Sequence, residues 1–235
     1  MSEERLTLNF NKPIRLFPLQ SCVLLPYASV PLHIFEPRYR AMLRDALDSD
    51  GLIAMAVFDG EAWKKDYEGN PPLRPCVAVG YLARHDRLDD GRYNILLQGL
   101  CRARILEELP PHPDGYRHAR MEPFGLDDPD ESVAAALGEE RDAITALLDD
   151  PNLAGLRPVA AIGQWLNNEI PTPAFLDLAT LTLTQDVDER YAMLAEPDPR
   201  RRAAWLKRHL HELRDIVDKA AEAEGPRDAD GWPLN

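Results

Sequence analysis

The sequence predicts an α+β protein in which a strand-rich first part is followed by a helical second part. Short runs of strand-forming residues fill the first part, whereas apolar residues recur at helical spacing through most of the second. Charge divides the chain near the same place. Residues 1–121 hold 16 acidic and 16 basic side chains, residues 122–235 hold 24 and 11, and the whole net charge of −13 therefore lies in the second part. We predict two subdomains, residues 1–124 and 125–235.

The first part contains seven segments rich in strand formers. They are Ile14 to Leu19, Val30 to Phe35, Leu52 to Phe58, Cys76 to Arg84, Tyr93 to Gln98, Arg102 to Glu107 and Tyr116 to Pro123. The turn Asp89-Asp90-Gly91 predicts a hairpin between two of them. Gly99 predicts a bulge or bend that divides one long ribbon into two strands. Continuous apolar runs such as IAMAV favour strands buried on both faces, or a small closed barrel.

One helix is predicted within the first part, beginning at Pro37. Proline suits the first helical position because its missing N–H would be unpaired there anyway. Glu36 places negative charge at the positive end of the helix dipole. The apolar residues that follow share one helical face. They are Tyr39, Met42, Leu43, Ala46 and Leu47.

The second part is predicted to be helical almost to its end. The polar segment 125–130 is the best boundary between the two parts. Proline, serine and aspartate residues near first-turn positions indicate where the helices begin. The predicted helices run from Ser132 to Leu148, Leu156 to Asn168, Pro173 to Thr182, Asp186 to Ala195 and Asp198 to about Glu222. The last helix also carries a basic cluster, Arg200-Arg201-Arg202 with Lys207 and Arg208, which we interpret as a solvated face or as a docking patch for an acidic partner.

Composition bears on location and on partners. No apolar run approaches the ~20 residues of a membrane helix, and the N-terminal residues lack the apolar core of a secretory signal. Three widely spaced cysteines, Cys22, Cys76 and Cys101, argue against a disulfide framework. These observations predict a cytoplasmic protein with no membrane partner. A neutral first part and an acidic second part argue against nucleic acid as a ligand.

Motifs for catalysis, cofactors or metals are not found in the sequence. The phosphate loop GxxxxGK[ST], the nucleophile elbow GxSxG and the dinucleotide motif GxGxxG do not occur. His209 and His211 are two residues apart, so on a helix they point in different directions, and no cysteine pair has CxxC spacing. We therefore expect no catalytic residue, no cofactor and no metal site.

Three ordered motifs give the first part a resemblance to a known family. The first is Leu16-Phe17-Pro18-Leu19 with Val23-Leu24-Leu25-Pro26, the second is Pro31-Leu32-His33-Ile34-Phe35-Glu36-Pro37-Arg38-Tyr39, and the third runs from Tyr93 through Gly99 to Ile105. Val79-Gly80 lies between the second and third, and Phe175 to Ala179 adds a weaker match in the helical part. Together they resemble the N-terminal, substrate-binding domain of the Lon protease family, over about residues 13–215.

The resemblance implies a PUA-like mixed β-barrel followed by a C-terminal helical bundle. It also implies recognition of unfolded or tagged protein segments in protein quality control or proteolysis. Full Lon proteases carry an ATPase module and a Ser-Lys protease module after this domain. Neither follows in this sequence, so the resemblance implies a free-standing, non-catalytic module, with a separate protease as a conceivable partner. Oligomeric state is left open.

Two alternatives stay open beside peptide binding. PUA-like barrels elsewhere bind RNA, and a small hydrolase using the barrel cleft would have Cys22 or His33 as its first candidates. For peptide binding, groove or strand-edge recognition is expected. The lining residues predicted for it are large side chains near strand ends. They are Tyr27, His33, Phe58 and Trp63, with Trp63 and Tyr67 in a polar insertion, residues 60–75, that could grip a peptide or fold back as a cap.

Overall fold

The computed structural model describes residues 8–125, 131–163 and 170–224. Six strands form one mixed sheet, and one helix, α1 (Pro37–Leu47), lies between the second and third strands in the chain. The strands are β1 (Ile14–Leu19), β2 (Ser29–Ile34), β3 (Leu52–Val57), β4 (Cys76–Arg87), β5 (Tyr93–Glu108) and β6 (Arg117–Phe124). A single turn of 3₁₀ helix, Ala62–Lys64, interrupts the connection from β3 to β4.

The pairing order of the sheet returns to its starting strand. It runs β2-β5-β4-β3-β1-β6, and β6 pairs with β5 as well. The pair β1–β3 is parallel and all other pairs are antiparallel. Five strands therefore form a ring of pairings, and β2 adds to it through β5 alone.

Gly99 lies inside one long strand. The sequence predicts two strands here, and that prediction is wrong, because β5 is continuous for 16 residues. Gly99 pairs with Gly80, and a register shift follows, so the glycine marks a bulge. Residues before the bulge pair with β2 and residues after it pair with β6. The bulge thus lets one strand serve two neighbours.

The apolar runs of the first part form its core. Every residue of β3 is buried, as expected for a strand covered on both faces. One cluster of buried side chains unites five strands. Its buried members are Ile14, Leu16, Leu52, Ala54, Ala56, Val77, Val79, Cys101, Ala103, Ala119 and Met121. Helix α1 begins at Pro37 as predicted and buries Tyr39, Ala41, Met42, Leu43 and Ala46.

Six helices follow the sheet in the part of the chain that the structure describes. They are α2 (Glu131–Leu148), α3 (Pro151–Ala154), α4 (Arg157–Gly163), α5 (Thr172–Leu183), α6 (Val187–Ala195) and α7 (Pro199–Glu224). Residues 164–168 of the predicted helix 156–168 and the boundary segment 126–130 lie outside the described residues. Helices α2, α3, α4, α5 and α7 share a second core that includes Ile144, Leu153, Ile162, Phe175 and Leu206.

The chain divides into two compact units. The strand unit comprises residues 1–126 together with 186–197, and the helical unit comprises 127–185 and 198–235. The predicted subdomains, 1–124 and 125–235, are each continuous and so differ from these units in the segment that carries α6. The Tyr191 hydroxyl of α6 accepts a hydrogen bond from the Cys76 N–H (2.9 Å), and Asp188 pairs with Arg74 (2.5 Å). These contacts hold α6 against β4.

None of the helices among the described residues is both long enough and apolar enough to cross a membrane.

Candidate functional site

An exposed aromatic side chain stands where β2 meets α1. Alternate residues of β2 face outward, and continuing that alternation places Phe35 on the outer side. Phe35 is 59% exposed, although its neighbour Ile34 is buried. The turn into α1 that follows, at Glu36 and Pro37, fixes the backbone at this point. The result is a large apolar side chain held in solvent by a rigid strand-to-helix junction.

Two cavities adjoin Phe35. One, of about 180 Å³, is lined mainly by apolar and aromatic side chains. The other, of about 410 Å³, is lined on its far side by Trp63 and Lys64. We call the two together the Phe35 groove. Its lining residues are Phe17, Leu19, Gln20, Leu32, His33, Ile34, Phe35, Glu36, Tyr39, Trp63, Lys64 and Tyr67.

The insertion 60–75 forms one wall of this groove. Phe58 is buried, and its ring centroid lies 6.0 Å from that of Trp63 and 5.9 Å from that of Tyr67. Aromatic pairs at this spacing attract one another beyond the area they bury. The Tyr67 hydroxyl donates to the Glu36 carboxylate (3.0 Å). The insertion therefore packs back on the strand unit while its aromatic residues still line the cavity.

An ion pair, Glu36 with Arg38, lies beside the groove. The Arg38 guanidinium is 3.0 Å from Glu36 and lies over the rings of Tyr39 and Tyr67, at 4.7 and 4.8 Å from their centroids. Burial raises the pKa of Tyr39, and its hydrogen bond with Tyr67 raises it further. Burial also raises the pKa of Tyr67. Both hydroxyls therefore stay protonated at neutral pH, and the charges beside the groove neutralise each other.

The four predicted lining residues are placed differently. His33 and Trp63 line the groove. Phe58 is buried behind Trp63 and supports it. Tyr27 is 42% exposed but lies at the opposite end of β2, where its N–H donates to the Gly99 carbonyl (2.9 Å). The structure brings three of the four together and leaves Tyr27 apart.

His33 is held by the strand opposite. It is paired with Asn94 across β2 and β5, and its Nδ1 is 2.7 Å from Asn94 Oδ1. Arg92 Nη1 is 3.3 Å from the other ring nitrogen, Nε2. Because arginine can only donate, Nε2 accepts and Nδ1 carries the proton. Both nitrogens are engaged in positioning the ring, which agrees with a structural histidine.

Sequence reasoning did not single out Phe35, Leu19, Leu32 or Tyr39 as groove residues. The signal for Phe35 was available, because period-two alternation along β2 puts residues 29, 31, 33 and 35 on one face. Leu19 and Tyr39 come from β1 and α1, and only the tertiary arrangement brings them beside β2.

Side chains of the kind that bind metals come together at a place that the sequence did not suggest. His209, one of the two histidines considered, stacks on Trp205 of the same helix (5.0 Å between centroids). Among the described residues, one group of ligand-type side chains converges. It comprises Asp45, His112 and Asp114, whose ligand atoms lie within 4.8 Å of one another.

The fold is that of a known class of domain. The N-terminal domain of a Lon protease from the Mycobacterium avium complex superposes with a TM-score of 0.61 at 16% identity, covering 85% of this chain and 98% of that one. A Lon N-terminal domain protein from Xanthomonas campestris gives 0.55 at 21% identity, with 83% and 96% covered. At these identities the likeness establishes the fold.

The family is established by the sequence. The model of the ATP-dependent protease La (LON) substrate-binding domain matches residues 13–212, so this chain belongs to that family. The resemblance predicted from the three motifs is confirmed. Lon protease of Anaeromyxobacter dehalogenans is 24% identical over 220 residues, and Lon protease 2 of Myxococcus xanthus is 25% identical over 225. In each case 89% of this chain is covered, and the chain spans 25% of the relative's length.

Proposed function

We propose that this chain recognises unfolded or tagged segments of protein substrates and that the Phe35 groove receives an apolar or aromatic side chain of the segment. The observation that carries the proposal is the 59% exposure of Phe35 between two cavities on a rigid junction. Membership of a substrate-binding domain family supports the same role. Recognition is non-catalytic, and a separate protease could receive the bound protein.

The groove has the composition that peptide recognition requires. Aromatic residues provide large contact areas at a small entropic cost, and they dominate binding energy at protein interfaces. Its charged neighbours are compensated, since Arg38 pairs with Glu36 and Lys64 pairs with Glu61. An apolar side chain can therefore enter without stripping water from an unpaired charge. The backbone of the segment could in addition pair with the outer edge of β2, which within the sheet pairs only with β5.

Contacts made by the charged residues beside the groove and by Cys22 and His33 disfavour the two alternative functions, RNA binding and hydrolysis. RNA binding needs concentrated, available cations, and the cations beside this groove are paired with carboxylates. A cysteine hydrolase needs a thiolate, whereas burial raises the pKa of the Cys22 thiol, an effect that Arg190 offsets only in part. His33, the other candidate, is engaged by Asn94 and Arg92.

Two finer features belong to the same proposal. The ring of strand pairings supports a closed, PUA-like barrel as the scaffold of the groove. A cytoplasmic location fits a role in protein quality control and remains a prediction from the sequence.

Substitution of Phe35 tests the function. The probe is reduced, carboxymethylated lactalbumin, which stays unfolded, and its binding to the full chain is measured by fluorescence anisotropy. Phe35→Ala should raise Kd by about thirtyfold, because a truncated aromatic anchor costs about 2 kcal/mol. Leu106→Ala is the matched control, since Leu106 is equally exposed at 58% but lies on β5 outside the groove lining.

Three outcomes of this experiment can be distinguished. Binding of the unfolded probe over its disulfide-intact, folded form, lost in Phe35→Ala and kept in Leu106→Ala, supports the proposal. Equal affinity for the folded and unfolded forms removes the proposed function. Selective binding that survives Phe35→Ala removes the groove as its site.

A further inference from the structure

The turn between β5 and β6 has a rigid backbone that presents two metal-ligand side chains. The Gly115 N–H donates to the His112 carbonyl (2.7 Å), and the His112 N–H donates to the Tyr116 carbonyl (2.9 Å). Pro113 restricts the first central position, and Gly115 has φ of +84°, which glycine adopts without strain. The imidazole of His112 and the carboxylate of Asp114 therefore emerge from a turn whose geometry does not depend on a ligand.

A third ligand comes from helix α1. Asp45 lies in its last turn, with one carboxylate oxygen, Oδ2, at 4.0 Å from His112 Nε2. Asp114 Oδ2 is 3.4 Å from His112 Nδ1. Two elements that are 67 residues apart in sequence thus place two carboxylates beside one imidazole.

Tyr116 orients two of these side chains, His112 and Asp45. Its ring stacks on the His112 ring, with 4.4 Å between centroids and an interplanar angle of 15°. Its hydroxyl donates to Asp45 Oδ2 (2.6 Å). One side chain therefore holds two of the three candidate ligands. Residues that orient metal ligands in this way commonly contribute ten- to a hundredfold to metal affinity.

We propose that Asp45, His112 and Asp114 bind a divalent transition-metal ion, with Zn²⁺ as the best-suited ion. Asp45 lies beside Nε2 and Asp114 beside Nδ1 of one imidazole, which carries at most one positive charge, so a dication bound at one of these nitrogens compensates the two carboxylates better than a proton does. One nitrogen and two oxygen ligands are a donor set that Zn²⁺ accepts, and three protein ligands leave a coordination position for water.

Arg15 lies beside Asp45 but bonds to its backbone. Arg15 donates through Nη2 to the Asp45 backbone carbonyl (2.7 Å) and through Nη1 to Asp50 (3.1 Å). Its charge is therefore already balanced by Asp50. Asp114 also borders a cavity of about 420 Å³ that includes Glu36 and Arg38, so the proposed ion would lie close to the Phe35 groove within the strand unit.

Calorimetric titration of ZnCl₂ into the metal-free full chain tests the site. The expected result is one saturable ion per chain. His112→Ala and Asp114→Asn should each weaken Zn²⁺ binding by at least about tenfold, and Tyr116→Phe should weaken it by about tenfold through loss of ligand orientation. His85→Ala is the matched control, because His85 is an exposed histidine on β4, away from the group, and should leave the affinity unchanged.

Two further measurements keep the proposal falsifiable. Asp114 is exposed, so Asp114→Asn should keep the thermal midpoint of the metal-free protein while losing the rise that Zn²⁺ produces in the parent chain. Co²⁺ should give visible bands without a thiolate charge-transfer band. A thiolate band would place the ion on a cysteine and overturn the assignment. Absence of saturable binding, or equal binding by His112→Ala, would overturn it as well.

Discussion

Glycines and buried charges are accommodated differently in the strand unit and in the helical unit. A Cβ built on Gly99 of β5 would lie 2.2 Å from the Leu25 carbonyl oxygen, whereas one on Gly138 of α2 meets no atom within 4 Å. The buried Arg117 of the strand unit makes two short bonds to Glu108 (2.6 and 2.7 Å). The buried Arg202 of the helical unit is 4.0 Å from Asp177.

The difference explains why the motifs of this chain are concentrated in its first part. Where backbones approach closely, only particular residues fit, so glycine and proline positions become specific. Where helices pack through apolar faces, many side chains of similar volume are acceptable, and the pattern is generic. Predictions about the two units can therefore be set against each other.

The largest effect is expected from Asp177→Ala in the helical unit. Asp177 and Arg202 are both 1% exposed, and removing the carboxylate takes a counter-charge away from a fully buried guanidinium. Breaking a buried ion pair in this way costs about 3–5 kcal/mol. Urea unfolding followed by far-ultraviolet circular dichroism measures the loss.

Asp215→Ala, which removes an exposed acid from α7, is the control and should change stability by less than about 0.5 kcal/mol. A double variant, Asp177→Leu with Arg202→Met, should recover most of the loss, since an apolar pair needs no charge compensation. A loss below about 1 kcal/mol in Asp177→Ala would show that the pair is not what holds these helices together.

Replacing a glycine by alanine should change stability by a smaller amount. The change should be a loss in the strand unit and a gain in the helical unit. Gly99→Ala should destabilise the strand unit by about 2–3 kcal/mol, because the new Cβ pushes the Leu25–Pro26 backbone away from β5 and strains the hydrogen bonds of Gly99 with Tyr27 and Ala28. Gly138→Ala should stabilise the helical unit by about 0.5–1 kcal/mol, because alanine favours a helix interior. The urea midpoints of the two variants measure these changes in stability. Changes of the same sign in both variants would contradict the prediction.

Much of the strand unit was predictable from the sequence. Proline positions, period-two alternation and the Asp-Gly turn located the strands, the hairpin and the start of α1, because each is a local steric effect. The continuity of β5 was not predictable, since a glycine that bends a strand and one that bulges it have the same sequence signal. The alternation along β2 indicated the outward face of Phe35, but the groove beside it was not predictable, because Leu19 and Tyr39 come from β1 and α1.

In the helical unit, the reading of the basic cluster was wrong for one residue. Arg200-Arg201-Arg202 was interpreted as a solvated face, yet Arg202 is buried against Asp177. Helical periodicity does place Arg202 on the same stripe as Leu206 and Leu213, but an arginine on an apolar stripe is ordinarily read as a boundary residue. Its buried partner lies on α5, 25 residues earlier, and no local pattern connects the two.

The smallest loss of stability is expected from Tyr191→Phe, which tests the assignment of α6 to the strand unit. Tyr191→Phe removes the hydroxyl that accepts the Cys76 N–H at the start of β4, while Arg74 remains over the ring (4.7 Å from its centroid). Leaving that N–H without its partner should cost about 1 kcal/mol. The loss should speed amide hydrogen exchange at Cys76 and along α6, with α2 and α7 unchanged. Tyr81→Phe, in the same strand, is the control for a tyrosine that is half-buried.

Faster exchange in α5 and α7 instead of β4 would show that residues 186–197 are stabilised by the helical unit, as the continuous subdomain 125–235 predicted. The sequence could not distinguish these outcomes, because Asp186 caps α6 locally through the N–H groups of Asp188 and Glu189 whichever unit the helix joins. A nine-residue helix with its own cap carries little information about its neighbours. Tyr191 accepts the N–H of Cys76 in β4, and Asp188 pairs with Arg74 just before that strand, so both contacts hold α6 within the strand unit.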